Sequence, residues 1–319
     1  MTLPVEFGLI ARHFRPLAGP GALDLLDDAA LLDPPAGRSL VLAADAMVAG
    51  VHFLPEDPPE TIGRKLLRVN LSDLAAMGAV PLGYLMTCGF PRGTPDDWIA
   101  RFVQGLAQDQ REFGLQVLGG DTVATPGPAT FSLTILGTVI PGQALRRAGA
   151  RPGDDIWVSG TIGDGALGLL ALTGRLPGDA HLARRYRLPE PRLALGQALV
   201  GAARAAMDVS DGLVQDLGHL ARAGGCGADI RAEAVPLSAA AGAALAADPA
   251  LLPRILAGGD DYELLFAADP ADTGRIRDAA RRAGVAVTRI GSFTAGEGAR
   301  VWDPQGAPIP LHKGGWSHF

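Results

Sequence analysis

Residues 141–160 read PGQALRRAGARPGDDIWVSG. Proline and glycine cluster through most of this stretch, and a strand pattern restarts at "DIWVSG". A chain of 319 residues exceeds an ordinary single domain. The stretch therefore reads as a boundary, near Gly142–Gly153, between a domain over 1–145 and one over 146–319. Upstream, "SLVLAADAMVAG" (39–50) starts as a strand. "PETIGRKLLRVNLSDLAAMGA" (59–79) has apolar residues at helical spacing and Gly78 to stop it. "VPLGYLMTCGF" (80–90) reads as a strand. "TPDDWIARFVQGLAQDQREFG" (94–114) reads as a helix with Thr94 as N-cap and Pro95 at its first position. "LQVLGGDT" reads as a short strand meeting a glycine turn, and "ATFSLTILGTVI" (129–140) as a strand. Downstream, helices are expected in "DGALGLLALTG", "PRLALGQALVGAARAA", after "DVSDG" and in "PADTGRIRDAARRAG". Strands are expected in "ADIRA", "YELLFAA" and "VAVTRIGSF". Helices and strands alternate in both halves, so the class is α/β or α+β.

Composition excludes several function classes. Hydrophobic residues make up 48% and charged residues 19%, with a formal net charge of −6. No basic tail or Lys/Arg cluster is present, so nucleic acid is not an expected partner. No apolar run reaches membrane-spanning length and the N-terminus lacks a signal pattern, so a cytoplasmic protein is expected. Cys88 and Cys226 stand far apart and read as two buried thiols of a reducing compartment.

The chemistry lies in the acids. The chain has no GxxxxGK[ST], HExxH, GxSxG or kinase signature. Instead, Asp recurs beside Gly or Ser where elements end: Asp27-Asp28, Asp45, Asp73 in "NLSD", Asp121 in "GGDT", Asp208 and Asp211 in "DVSDG", and Asp260, Asp261 and Glu263 in "GGDDYE". Singly, each reads as a turn residue or a cap, and Ser210 reads equally as an N-cap. Collectively, they are the hard oxygen donors that suit Mg²⁺ shared with substrate phosphates. The glycines of "LGGD" and "AGGD" would let backbone amides approach a phosphate. Histidine is scarce near these motifs apart from His52. That scarcity fits transfer to an acceptor already anionic at neutral pH, where metal ions offset the repulsion between two polyanions.

"VNLSDLAAMGA", "LGGDT", "RRAGARPGD", "VSGTIGD", "MDVSDGLVQDLGHLA", "GGDDYEL" and the terminal "KGGWSHF" resemble the thiamine-monophosphate kinase family, within the aminoimidazole-ribonucleotide synthase superfamily. The resemblance runs from one end of the chain to the other. It implies a two-domain α/β fold: an N-terminal mixed sheet with helices, which binds ATP and Mg²⁺ and forms a homodimer through its sheet, and a C-terminal α/β domain. It implies transfer from ATP to thiamine monophosphate, directly and in line, with several Mg²⁺ ions. Position by position, Asp28, Asp45, Asp73, Asp121, Asp208 and Asp211 match metal ligands. Gly120, Asp121, Arg147 and Ser210 match nucleotide contacts. His52, Asp260 and Trp316 match contacts to thiamine monophosphate. A guanidinium fork suits phosphate oxygens at Arg147, which otherwise reads as a solvated linker charge. His52 reads equally as a half-buried structural residue, and Trp316 equally as packing.

Three segments depart from the family pattern. Asp24-Leu25-Leu26-Asp27-Asp28 stands where the family has Gly-x-Gly-Asp-Asp. Leucine disfavours φ > 0, so a different local loop is expected there unless the glycines served only close approach. Ala43-Ala44-Asp45-Ala46 replaces Ser-Thr-Asp-Thr and removes three hydroxyls. Asp260 is one methylene shorter than the usual Glu. Two other readings fit this pattern: a different ATP-using member of the superfamily, or a degenerate paralogue that binds nucleotide or thiamine phosphates with little or no turnover.

Overall fold

The computed structural model describes residues 5–311 and 314–317. Lys313 and His318–Phe319 of the terminal motif lie outside the described residues. The chain divides into two units, Met1–Leu74 with Val80–Pro141, and Ala75–Ala79 with Gly142–Phe319.

The first unit begins with the short helix α1 (Val5–Leu9) and contains β1 (Ser39–Val48), α2 (Pro59–Ala76), β2 (Val80–Pro91), α3 (Asp96–Phe113), β3 (Val117–Thr125) and β4 (Thr130–Val139). Its four-stranded sheet runs β1-β4-β2-β3. The β1–β4 and β4–β2 pairs are antiparallel and β2–β3 is parallel, so the sheet is mixed. Period-two alternation splits each strand between two faces. Met47, Tyr84, Met86, Phe90, Phe131 and Leu133 are buried. Phe102 of α3 stacks on Phe131 with ring centroids 4.6 Å apart and meets Phe90 edge-on. Buried Arg68 of α2 holds Asp109 of α3 through Nε (2.6 Å) and Nη2 (3.1 Å). On the other face Leu40, Leu42, Leu85 and Val123 remain exposed, Leu42 by 62%.

Two local expectations change here. Thr94 does not cap α3: the N-cap is Pro95, without a side-chain cap bond, and the Thr94 hydroxyl donates to the Pro91 carbonyl at 2.8 Å. Asp96 and Asp97 in the first turn instead complement the helix dipole. "GGDT" is also not a turn, because β3 runs through it to Thr125. A Cβ on Gly120 would sit 1.8 Å from the Met86 carbonyl oxygen. Gly120 thus lets β3 lie against β2, whatever else approaches it.

The second unit comprises β5 (Asp155–Ser159), α4 (Asp164–Leu172), α5 (Ala180–Arg187), α6 (Leu193–Leu199), β6 (Ala205–Asp208), α7 (Leu213–Gly224), β7 (Gly227–Arg231), α8 (Ala239–Ala247), α9 (Leu252–Ala257), β8 (Leu264–Ala268), α10 (Thr273–Ala283), β9 (Val287–Thr294) and β10 (Ala299–Trp302). The strand order is β10-β7-β9-β5-β8-β6. Helices cover both faces of the central strands, which is why "DIWVS" and "LLFAA" read as continuous apolar runs. Ile156, Val158, Met207 and Leu265 pack with α4, α7 and α9. Trp157, Ala206, Leu264 and Phe266 pack with α6 and α10. The segment expected as one helix, "PRLALGQALVGAARAA", splits into α6 and β6. Gly201 turns the chain at φ 76°, and Ala205 and Ala206 are buried in the sheet. Among the described residues no single helix is long and apolar enough to cross a membrane.

Candidate active site

In the first unit, two of the expected acids share one side. The Asp45 N–H donates to Asn70 Oδ1 on α2 at 3.1 Å, and the Asn70 amide is tied back to the Leu66 carbonyl at 2.9 Å. Asp73 lies three residues further along α2, on the same helix side. Asn70, wholly buried, thereby fixes the strand carrying Asp45 to the helix carrying Asp73. Its signal in the sequence was an amide inside an apolar helix face, beside the acid that drew attention instead. His52 follows β1: its Nδ1 accepts the Val48 N–H at 3.0 Å, and buried Lys65 donates to its carbonyl at 2.9 Å. Nδ1 is therefore occupied as an acceptor, which puts the neutral ring's proton on Nε2.

Asp28 and Asp121 stand apart from that pair. Asp27 and Asp28 are exposed after a short 3-10 segment. Leu26, the leucine in a family glycine position, keeps φ at −111°, as expected of leucine, but the turn before it is left-handed: Leu23, Asp24 and Leu25 lie at 51°, 60° and 55°. Each such residue costs about 1–2 kcal/mol, and Arg15 Nε braces the turn by donating to the Asp24 carbonyl at 2.8 Å. Asp121 is on β3, the opposite edge strand from β1. Its register partner is Thr87. The alternation that leaves Leu85 and Val123 exposed places Asp121 on that same uncovered face.

The second unit gathers most of its expected residues. Asp208 ends β6 and is buried; Ser210 and Asp211 form the loop into α7. The Ser210 carbonyl accepts the Asp260 N–H at 2.9 Å, and the Asp211 carbonyl accepts the Trp316 N–H at 2.9 Å. Gln215 donates to Asp211 Oδ2 (3.2 Å) and to the Trp316 carbonyl (2.8 Å). Arg147 lies close enough to His219 on α7 for its charge to act there: burial lowers the His219 pKa first, then the charges of Arg147 and Arg222. Asp208, Ser210, Asp211, Asp260 and Trp316 thus meet in one place, with Arg147 nearby.

The residue that organises this loop was not singled out in the sequence. Asp216, 1% exposed, accepts the backbone N–H groups of Ser210, Asp211 and Gly212 on its Oδ2 at 3.1–3.2 Å. It caps α7 from inside the helix, so Ser210 is not the N-cap; Gly212 is. Burial and the charges of Asp208 and Asp211 push its carboxyl up to about 7. Asp261 and Glu263 are wholly buried and internally satisfied. Glu263 accepts from Ser159 (2.6 Å), Arg185 (2.8 Å) and Arg192 (2.6 Å).

The AIR synthase related protein, N-terminal domain, family matches residues 26–139, and the corresponding C-terminal domain family matches residues 151–303. A thiamine-monophosphate kinase of Caulobacter vibrioides is 48% identical over 321 residues, spanning 99% of this chain and 91% of that protein. The chain belongs to the thiamine-monophosphate kinase family. The Salmonella typhimurium member is 41% identical, with 98% of each chain covered. Among solved structures, the Stenotrophomonas maltophilia thiamine-monophosphate kinase is 42% identical at a TM-score of 0.80, covering 87% of this chain and 89% of that one. AaThiL complexed with AMPPCP and TMP is 30% identical at a TM-score of 0.77 over the whole of both chains. A hydrogenase maturation protein HypE complex with ATP, at 22% identity and a TM-score of 0.81, shares the fold.

The donor set bears on the Mg²⁺ that this family resemblance implies. Among the described residues, no group of three or more His, Cys, Asp or Glu side chains is arranged to hold a metal. The expected ligands are all carboxylates. Asp208 and Asp211 raise the pKa of Asp216, which marks a concentration of negative charge beside the loop. Hard oxygen donors with an incomplete protein set fit Mg²⁺, which takes its remaining ligands from water and phosphates.

The buried acid beside Asp260 predicts a pH dependence. Burial pushes the Asp261 carboxyl up to about 8, against the pull of two backbone N–H groups and Arg185 and with a further push from Asp164. In the unfolded chain the same group titrates at about 4. Between these values the unfolded chain releases a proton that the folded chain keeps. The stability contributed by this group therefore falls as pH rises through the window and levels off above it. Urea midpoints at about pH 5, 6.5 and 8 should decline by this component, and Asp261→Asn should remove it.

Proposed function

We propose that the protein transfers the terminal phosphoryl group of ATP directly and in line to the phosphate of thiamine monophosphate, yielding ADP and thiamine diphosphate. The observation that carries this reading is the convergence of Ser210, Asp260 and Trp316 on the Asp208–Asp211 loop. A nucleotide contact and two thiamine-phosphate contacts are thereby joined by backbone hydrogen bonds. In this reading Gly120, Asp121, Arg147 and Ser210 hold ATP, while His52, Asp260 and Trp316 hold thiamine monophosphate. The His52 Nε2–H faces a phosphate oxygen, and the Trp316 ring offers a face to the cationic thiazolium. No side chain needs to act as a strong base, because the accepting phosphate oxygen is already ionised.

Asp28, Asp45, Asp73, Asp121, Asp208 and Asp211 would hold Mg²⁺. The ions would supply charge neutralisation between the two polyanions. The exposed apolar face of the first unit supports a homodimer: Leu40, Leu42, Leu85 and Val123 offer a patch that a second copy would cover. Asp45 and Asp121 favour it further. They lie on opposite edges and faces of the sheet, roughly 14 Å apart across three strand spacings. In this reading a second copy covers that face with its β3 edge lying along the β1 edge of the first, and its Asp121 reaches the first copy's acids around that edge. The two buried cysteines fit a cytoplasmic enzyme.

Incubation with ATP, Mg²⁺ and thiamine monophosphate tests the activity. Stoichiometric ADP and thiamine diphosphate are expected. ATP turnover confined to another acceptor, or ligand binding without transfer at any Mg²⁺ concentration, would replace this reading.

A further inference from the structure

Among the described residues of the second unit, only two non-glycine residues have positive φ: Asp260 at 71° and Tyr262 at 52°. Such conformations are strained and persist only where the surroundings impose them. The residue between them shows how. Asp261 is 0% exposed, and its two carboxylate oxygens take separate backbone donors at the start of α4: Oδ2 accepts the Gly163 N–H at 2.8 Å and Oδ1 accepts the Gly165 N–H at 3.1 Å. Buried Arg185 donates to the Asp261 carbonyl at 3.1 Å. On the opposite side, the Asp260 N–H donates to the Ser210 carbonyl and the Tyr262 N–H to the Val209 carbonyl, at 2.9 and 2.8 Å. The tripeptide is therefore clamped between the start of α4 and the loop after β6.

Gly165 shows how closely the clamp is fitted. A Cβ there would lie 2.3 Å from the Asp260 carbonyl oxygen. The start of α4 thus meets Asp260 through its backbone and meets Asp261 through its carboxylate. A carboxyl group suits this task because each of its oxygens keeps an acceptor lone pair for its backbone N–H, with or without the proton that burial retains. An Asn side chain offers one oxygen and turns an NH₂ group toward the other backbone N–H, leaving that donor unsatisfied.

We propose that Asp261 is a positioning residue for thiamine monophosphate: bound to Gly163 and Gly165, it holds Asp260 in the left-handed conformation that presents the Asp260 carboxylate to the substrate. Asp261 itself does not touch the substrate. Released from the clamp, Asp260 relaxes to negative φ and its side chain swings away. The proposal rests on the reading of Asp260 as a thiamine-monophosphate contact.

The test compares three variants of the full-length protein. For each, KM for thiamine monophosphate, kcat and the affinity for AMPPCP are measured, together with near-UV circular dichroism. Asp261→Asn should raise KM for thiamine monophosphate by about tenfold or more, with kcat at saturation and AMPPCP affinity within about threefold of wild type. Gly165→Ala presses on the Asp260 carbonyl from α4 without altering any carboxylate, and should give the same selective loss. It keeps the proposal testable if Asp261→Asn does not fold. Asp260→Ala provides the reference. If it raises KM while both other variants leave KM unchanged, the positioning role is overturned and the role of Asp260 stands. If Asp260→Ala has no effect, both are overturned. Equal weakening of both ligands by Asp261→Asn and Gly165→Ala would mean a general structural role and would also overturn the proposal.

Discussion

Asp73→Asn should abolish thiamine diphosphate formation while leaving the protein folded. Asp73 is half-buried on α2, one turn beyond Asn70, whose amide oxygen holds the backbone of Asp45. In the proposed reading both acids face the ATP phosphates with their ions. The substitution keeps the shape of the side chain and removes its charge. Loss of one group that stabilises developing charge in a desolvated site lowers turnover by about 10²–10³-fold, and a bridging metal ligand should lie at or beyond that range. Stability should not fall, because the variant removes one of several neighbouring negative charges, and relieving a functional site of repulsion tends to stabilise the fold. Initial rates across a range of Mg²⁺ concentrations, read beside thermal midpoints, check both halves. The comparison is Asp27→Asn, expected to be mild because Asp28 is the matching ligand. Near-normal turnover in Asp73→Asn would remove the assignment of these acids to metal.

Why some of this was legible in the sequence and some was not follows from what each residue does. The acids were visible because they sit beside Gly and Ser at element ends, and the two-sided apolar runs of β5 and β8 announced buried strands. Asp216 was hidden because an acid four residues past Gly212 in an amphipathic helix looks like a solvated residue. Only the folded loop turns three N–H groups toward it. Asn70 was hidden for the same reason. β6 merged into α6 because alanine carries no strand signal, and a single glycine, Gly201, makes the turn between them. α8 was missed because "AAAGAALAA" is apolar all round and has no stripe to read. The left-handed Leu23 and Leu25 contradict the ordinary preference of their side chains, so composition argued the wrong way. Asp260 and Tyr262 do the same at the other end of the chain. Backbone strain of this kind is set by tertiary contacts such as those of Arg15 and Asp261, which local sequence does not encode.

Mixing two inactive variants, Asp45→Asn and Asp121→Asn, should restore activity that neither has alone. Within one chain these residues cannot serve a common ion. β1 and β3 are the two edges of the sheet, with β4 and β2 between them, and Mg²⁺ ligands stand only about 2.1 Å from the ion. If both acids are needed at one site, one of them comes from a second copy, and the exposed face carrying Leu42 and Asp121 is where that copy would sit. A mixed dimer then holds one site lacking both acids and one site with both intact. With random exchange, half the dimers are mixed and half of their sites are whole, so recovery should approach roughly a quarter of wild-type activity. Asp45→Asn mixed with Asp73→Asn is the discriminating control. Those residues lie on the same side of the same unit, joined through Asn70, so every mixed site keeps one defect and no recovery is expected. Leu42→Asp should split the proposed dimer on sedimentation and lose activity with it, because each copy would then lack its partner's Asp121. No recovery in the first mixture would place Asp121 outside the shared site, and recovery in the control would mean that Asp45 and Asp73 act from different copies.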